Sequence, residues 1–316
     1  MIETIEFQDP SKANGVINLT WLKVTDPTQE EINQLLQDYP MPEDFITGGL
    51  DGYEVPRTES FTDQMGQLKQ LYIFLHPLKQ EESHKMDIYT VVPISFIMMD
   101  DKVITVSQKD LPILADFATT FIENPLHQND ALSFLLSLFW LIAQRYIVLL
   151  TEIDQRIHYL EHQAIHSSDK DIFYELIGLN KGLVFFETAI EGNRSILESI
   201  KNSLNQEENM IKHQSLLRDV QVEQHQAHVM IYESKSLIEK LSDMISNVIN
   251  FNLNNIMKVL TSWTILLTIP TILGGLWGMN VALPLEKNPM AFLILNVLCI
   301  IVMIAIYFYL KKNKML

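Results

Sequence analysis

Two long apolar runs close the chain, and they constrain its fold more than any other feature. Residues 259–276 and 289–310 contain no Asp, Glu, Lys or Arg. Each run is close to the ~20 residues that a helix needs to cross the hydrocarbon core of a bilayer. The segment between them is too short for a domain, so the sequence predicts a C-terminal hairpin of two membrane-spanning helices in a lipid bilayer.

The chain as a whole is acidic, with 39 Asp and Glu against 23 Lys and Arg. An acidic surface repels phosphate backbones and suits cations, so we expect no nucleic-acid partner. The single cysteine, Cys299, lies inside the second apolar run, which excludes a disulfide within the chain. The first ten residues have neither the basic nor the apolar region of a signal peptide.

Lysines near the apolar runs predict the orientation of the hairpin. Lys258 precedes the first run and Lys311, Lys312 and Lys314 follow the second, whereas the connecting loop carries one lysine, Lys287. Short loops rich in Lys and Arg stay on the cytoplasmic side of a membrane. The sequence therefore predicts a multi-pass protein of the cell (plasma) membrane with both termini in the cytoplasm.

Upstream of the hairpin, the periodicity changes from strand-like to helical near residue 125. Strands are predicted at 17–24, 71–75, 89–99 and 103–106 from their alternation and β-branched content. Thr28 and Glu31 have the spacing of a helix capping box, and a second short helix is predicted at 111–122. This part of the chain has the pattern of an α/β domain.

Three long helices are predicted after that domain. They cover 129–166, 172–204 and a run from about residue 207 that contains neither Pro nor Gly until Pro270. Such a run would be on the order of 90 Å long. Residues 134–142 are apolar enough to suggest a third span, but the charged residues that follow favour a buried helix of a soluble domain.

The predicted fold class is an α/β N-terminal cytosolic domain followed by long helices and a C-terminal two-helix transmembrane hairpin. In chain order the predicted regions are a cytosolic α/β domain (1–125), a cytosolic long-helix region (126–205), a stalk helix (206–255), transmembrane helix 1 (256–277), an extracellular loop (278–288), transmembrane helix 2 (289–310) and a basic cytosolic tail (311–316).

Two groups of polar residues in the long helices could bind a metal ion. His158, Glu161 and His162 match the H-x-x-E-H spacing of a class of zinc peptidases. A solvated helix face is the favoured interpretation because no third ligand is evident. Asp219 lies in the middle of the stalk helix and could bind a hard cation between copies of the chain, although a solvated acidic face of the stalk is the interpretation that the residues alone favour.

The first span carries polar residues that the second span lacks. Its threonines are Thr261, Thr264, Thr268 and Thr271, and Asn254 and Asn280 flank them. Polar side chains are expensive in hydrocarbon unless they face water or a partner, although threonine hydroxyls can also bond to their own helix. The sequence predicts that the first span lines a pore and the second faces lipid, and a pore requires several copies of the chain.

Gly278, Met279 and Asn280 follow the first span directly, and this tripeptide resembles the signature of the CorA family of divalent-cation channels. The segments 254–260 (NNIMKVL) and 179–193 (LNKGLVFFETAIEGN) are also similar to that family. The outer loop Leu283-Pro284-Leu285-Glu286 resembles the family's acidic loop in an altered order. The resemblance covers essentially the whole chain.

The resemblance implies a homopentameric funnel that carries Mg²⁺, and often Co²⁺ or Ni²⁺, through a pore lined by five copies of the first span. It implies that Gly278, Met279 and Asn280 select the hydrated ion, and that Glu286 attracts cations. It assigns an apolar gate to Met257 and Leu260, and a regulatory Mg²⁺ to Asp219. No enzyme activity is implied.

Three alternatives stay open from the sequence. The first is a zinc transporter of the same family, with or without proton coupling. The second is a membrane-anchored coiled-coil scaffold without transport. The third, a peptidase at His158 and His162, predicts stoichiometric zinc in the purified protein.

Overall fold

A computed structural model describes residues 1–8, 17–81, 87–123, 130–166, 170–204, 210–279, 289–313 and 315 of the chain. It divides into two compact units, Met1–Leu241 and Ser242–Leu316. The boundary between the first unit and the second unit falls inside one continuous helix.

The first unit contains a six-stranded sheet and helices on both of its faces. The strands are β1 (Ile2–Gln8), β2 (Ile17–Thr25), β3 (Arg57–Thr62), β4 (Leu68–Glu81), β5 (Asp87–Met98) and β6 (Lys102–Ser107). Their order in the sheet is β1-β2-β6-β5-β4-β3, and only the pairing of β2 with β6 is parallel. The helices are α1 (Gln29–Asp38), α2 (Asp44–Thr47), α3 (Pro112–Glu123), α4 (Ala131–His166), α5 (Lys170–Leu204), α6 (Met210–Trp277) and α7 (Ala291–Lys312).

The two faces of the sheet bury different kinds of side chain. On one face, Ile32 of α1 and Phe45 of α2 pack on aliphatic side chains of the strands. On the other face, Phe134 of α4 lies 5.2 Å from Trp21 in ring-centroid distance, and Phe139 lies 4.5 Å from Phe74. Adjacent strand residues point to opposite faces, so each central strand contributes to both layers of the core.

Helix α5 approaches the sheet very closely through glycine. A Cβ atom on Gly182 would lie 2.6 Å from the Cβ of Tyr89 in β5, and one on Gly192 would lie 2.5 Å from the Cγ of Pro56. The next residue, Asn193, is buried and bonds to the backbone of Leu75 in β4 at 3.0 and 2.9 Å. These contacts fix α5 on the sheet.

The predicted fold class is confirmed: an α/β N-terminal region is followed by long helices and a C-terminal helix. Three of the four predicted strands lie within β2, β4 and β6, the fourth (89–99) overlaps β5 and runs one residue past its end, and the capping box of Thr28 and Glu31 is formed at α1. Phe134 and Phe139 are fully buried against the sheet, as expected for a helix of a soluble domain. Homopentameric assembly stays a prediction.

Candidate ion-conduction site

The predicted pore-lining residues lie on one face of helix α6. Its 68 residues form a single helix that continues past Pro270. The positions concerned are Asn254, Met257, Thr261, Thr264, Thr268 and Thr271. They follow one another at alternating steps of three and four residues, which places them in a single stripe along a helix. All of them are exposed in this chain, and so is Leu260, which lies one turn after Met257.

Three of the four threonine hydroxyls of this stripe bond to their own helix. Thr264 donates to the carbonyl of Leu260 at 2.9 Å, Thr268 to that of Thr264 at 2.7 Å, and Thr271 to that of Leu267 at 3.0 Å. Each hydroxyl has one proton, so these bonds use its donor and leave oxygen lone pairs free to accept. The stripe therefore offers hydrogen-bond acceptors to whatever lies in front of it.

The opposite side of the same helix is occupied by the C-terminal tail. Ser262 is fully buried and donates a 2.9 Å hydrogen bond to the carbonyl of Met315. Because one residue turns a helix by about 100°, Ser262 points well away from the stripe. The tail thus contacts α6 without covering the stripe.

Much of the second unit exposes apolar side chains. Phe292 of α7 is 80% exposed and Leu267 of α6 is 66% exposed. Soluble proteins rarely expose apolar patches of this kind unless a partner or a membrane covers them. By length and composition, α6 and α7 can both cross a bilayer, and so can α4, which instead lies half-buried inside the first unit.

Helix α6 ends in a tight turn at the predicted selectivity tripeptide. The amide of Gly278 bonds to the carbonyl of Gly274 at 3.0 Å, and that of Met279 is 3.4 Å from the carbonyl of Leu276. A Cβ on Gly278 would lie 3.2 Å from the Gly274 carbonyl oxygen, so a larger residue would push against this turn. Asn280 and Glu286 lie outside the described residues.

Asp219 lies far along α6 from the stripe, in the first unit, and its side chain is exposed. Within the described ranges of this single chain, no group of three His, Cys, Asp or Glu side chains could hold a metal ion. Hence a regulatory cation at Asp219 would need ligands from another copy of the chain or from residues outside those ranges.

The H-x-x-E-H residues of α4 are engaged with acids of their own helix. The Nδ1 atom of His158 lies 3.4 Å from Glu161, and its Nε2 atom lies 3.8 Å from Asp154. All of these side chains, and that of His162, lie on the surface of the helix. This arrangement agrees with a solvated helix face.

Comparisons with known proteins agree on one family. The model of the family described as "CorA-like Mg2+ transporter protein" matches residues 18–312. The cobalt/magnesium transport protein CorA of Methanocaldococcus jannaschii is 25% identical over 99% of this chain and 94% of its own length. That of Thermotoga maritima is 22% identical over 99% of this chain and 86% of its own length.

A solved structure has the same fold. The complete structure of the CorA magnesium transporter from Methanocaldococcus jannaschii covers 95% of this chain and 92% of its own, with a TM-score of 0.76 and 21% identity. A family match over most of the chain, with a shared fold, outweighs the short peptidase pattern. The chain therefore belongs to the CorA-like Mg²⁺ transporter family and is a membrane protein that transports divalent cations, not an enzyme.

Proposed function

We propose that five copies of the chain form a Mg²⁺ uptake channel of the plasma membrane, in which the stripe on α6 lines the pore. The observation that carries this proposal is the acceptor character of the stripe. The hydroxyl donors of Thr264, Thr268 and Thr271 are satisfied within the helix, which leaves their oxygen lone pairs free to accept, and the side chains of the stripe are exposed.

An acceptor-lined pore suits Mg²⁺ that keeps its water shell. Mg²⁺ gives up its octahedral waters reluctantly, and those waters present hydrogen atoms outward. Hydroxyl oxygens along the pore accept hydrogen bonds from these waters without stripping them. Because the hydroxyls carry no charge, they do not hold the ion too tightly to release it.

The ends of the stripe supply selection and gating in this proposal. At the outer end, a ring of Asn280 carboxamides binds the hydrated ion and Glu286 raises the local cation concentration. At the inner end, Asn254, Met257 and Leu260 narrow the pore with an apolar constriction that closes by dewetting. Both termini lie in the cytoplasm in this proposal. The membrane potential drives uptake of the ion and supplies about 4.6 kcal/mol for a divalent ion at 100 mV.

Cytosolic Mg²⁺ regulates the channel through Asp219. The carboxylate is exposed, and in a ring of subunits it would face an acid of the neighbouring copy. A bound Mg²⁺ holds the two acids together in the closed state. When Mg²⁺ leaves, the like charges repel, and the equilibrium shifts towards an open state.

Liposomes that contain the purified protein test the pore assignment. We expect Asn280→Ala to lower Mg²⁺ influx at least tenfold. We expect Thr268→Val, which keeps the shape and removes the hydroxyl, to lower it several-fold. Thr268→Ser should retain most of the flux, and Leu266→Val, on the far side of the helix, should change little.

Equal flux in wild type and Asn280→Ala would refute the selectivity assignment, and a preference for Zn²⁺ over Mg²⁺ under the same gradient would support the zinc alternative.

Growth of a Mg²⁺-dependent strain and Mg²⁺ uptake at high internal Mg²⁺ test the regulation. The wild type should shut off as internal Mg²⁺ rises, and Asp219→Ala should keep transporting. Arg218→Ala is the matched control, because Arg218 is the adjacent exposed residue and cannot bind Mg²⁺. Complete shut-off of Asp219→Ala would show that Asp219 is not the sensor, without affecting the pore assignment.

A further inference from the structure

A cavity of about 450 Å³ lies in the first unit. Its walls come from β4, the end of β5, the first turn of α4, the last turns of α5 and the first turn of α6. Small-molecule sites in proteins have volumes of about 300–1,000 Å³ and combine apolar walls with a few polar groups. The size and position of this cavity fit that description.

His213 forms part of the cavity wall and is 4% exposed. Its Nε2 atom lies 3.2 Å from a carboxylate oxygen of Asp130, which also caps α4 by accepting a 2.7 Å bond from the amide of Ser133. A carboxylate only accepts, so Nε2 donates this bond; in the neutral tautomer that carries its proton on Nε2, Nδ1 is an acceptor. Among the described residues, no donor reaches this buried Nδ1 atom.

The other polar groups of the wall are also mainly acceptors. The Tyr72 hydroxyl donates to Gln70 at 3.2 Å, and the Ser203 hydroxyl donates to the carbonyl of Ser199 at 3.1 Å, so both oxygens can still accept. Asp100 adds a carboxylate at the exposed side of the cavity. Gln70 contributes the amide donor. Acceptors and negative charge select a ligand that is a donor and a cation.

The remaining wall is apolar. Leu68, Met98, Ile200 and Leu204 line it. A bare metal ion or a phosphate would leave these side chains without a partner, and a phosphate would also be repelled by Asp100 and Asp130. An ammonium group attached to an apolar body satisfies both kinds of wall.

We propose that this cavity binds a small organic amine in its cationic form. The ammonium group donates hydrogen bonds to the acceptor cluster of His213, Tyr72 and Ser203 near the carboxylate of Asp100, and the apolar body packs on the aliphatic wall. His213 belongs to the helix that also carries the threonine stripe. The proposal stands independently of the ion that the protein transports.

Calorimetry on the full-length protein in detergent at pH 8 tests this proposal, with tryptamine as the probe. We expect saturable binding of tryptamine, and at least tenfold weaker binding of the uncharged analogue 3-methylindole and of the anion indole-3-acetate. Equal binding of tryptamine and 3-methylindole, or no saturable binding of tryptamine, would overturn the proposal.

Substitutions of single residues test whether tryptamine binds in this cavity. We expect Asp100→Asn to weaken tryptamine binding about fivefold, because it removes the charge that faces the ammonium group. Asp101→Asn is the matched control: Asp101 is the adjacent exposed acid and is not part of the wall, so its loss should have no effect. His213→Gln should weaken binding at least as much as Asp100→Asn, with folding checked by circular dichroism. Equal effects of Asp100→Asn and Asp101→Asn would show non-specific attraction to an acidic surface.

Discussion

The two units of the chain place apolar helices in opposite environments. In α4, 56% of the most apolar window is buried within the first unit, against 6% in α6 and 0% in α7. All three helices pass the same test of length and apolar composition. What separates them is the sheet, because the aromatic side chains of α4 find partners on β2 and β4. Among the described residues, the aromatic pair that α7 forms, Tyr307 with Phe308, lies within α7 itself.

The hydrogen-bond partners of polar side chains also differ between the two units. In the first unit, Asn193 bridges α5 to a strand that lies far away in sequence. In the second unit, Asn296 donates to the carbonyl of Phe292 in its own helix at 2.8 Å, and Thr264, Thr268 and Thr271 likewise donate within α6. A polar side chain that faces lipid is satisfied by its own helix, whereas one in a folded core can connect elements. Substitutions made in parallel in both units test this difference.

The largest effect is expected for the buried amide of the first unit. Asn193 satisfies the N–H and the C=O of Leu75, which lies beyond the last residue that pairs with β3. Asn193→Leu keeps the branching at Cγ and leaves that N–H buried without the Asn193 acceptor, while Tyr146 still donates to the carbonyl. We expect a loss of about 2–4 kcal/mol of unfolding free energy.

The same substitution in the second unit is the control. Asn296→Leu removes a side chain that bonds only within α7 and is exposed to the surroundings of the helix. We expect a change within about 0.5 kcal/mol. Thermal unfolding in detergent measures both variants, and similar losses for the two asparagines would contradict the division between the units.

A pair of glycines on α5 gives the next effect. Gly182→Ala places a methyl group 2.6 Å from Tyr89 and forces α5 away from β5, which we expect to cost about 1–3 kcal/mol. Gly178 lies one turn earlier, and a Cβ there meets nothing within 4 Å. Gly178→Ala should therefore stabilise the protein by about 0.5–1 kcal/mol through helix propensity. Shifts of the same sign in thermal unfolding would refute the close contact.

A pH effect is expected from the core of the first unit. Burial, and secondarily the charge of Arg145, lower the pKa of His76 from 6.5 to about 3. The unfolded chain binds this proton near pH 6.5 and the folded chain only near pH 3. Stability is therefore complete above pH 6.5 and falls as the pH decreases, by about 2 kcal/mol at pH 5.

His76→Leu should remove this pH dependence between pH 7 and 5, and His225→Gln, at an exposed position of α6, should keep it. Thermal unfolding at several pH values measures the difference. Identical pH profiles for wild type and His76→Leu would show that His76 does not keep its low affinity for a proton in the folded state.

Sequence alone predicted most of this fold, and its misses have a physical cause. The predicted strands are the four inner strands of the sheet, and the two missed strands, β1 and β3, are its edges. An edge strand such as β3 (RTESFT) is only partly buried, so its residues need not alternate clearly. The helices were easier to predict because their apolar residues repeat over many turns.

The functional groups divide in a similar way. The stripe on α6 could be predicted because its members share one helix, so their spacing in sequence fixes their relation in space. The proposed amine cavity could not, because Tyr72, Asp100, Asp130 and His213 come from four separate parts of the chain and meet only in the folded protein. Sites that form between copies of the chain, such as the proposed cation at Asp219, leave no pattern in one sequence.

The smallest effect is expected for the hydrogen bond that ties α6 to the C-terminal tail. Ser262 donates to the carbonyl of Met315, and this carbonyl lies at a partly exposed residue that water can reach. Ser262→Ala should therefore cost only about 0.5–1 kcal/mol, since water can replace the lost donor. Deletion of residues 315 and 316 should cost a similar amount.

If this hydrogen bond is what joins the tail to α6, the variant with both changes should lose no more unfolding free energy than either change alone, because both remove the same interaction. Fully additive losses in thermal unfolding would show that the tail and Ser262 stabilise the second unit separately.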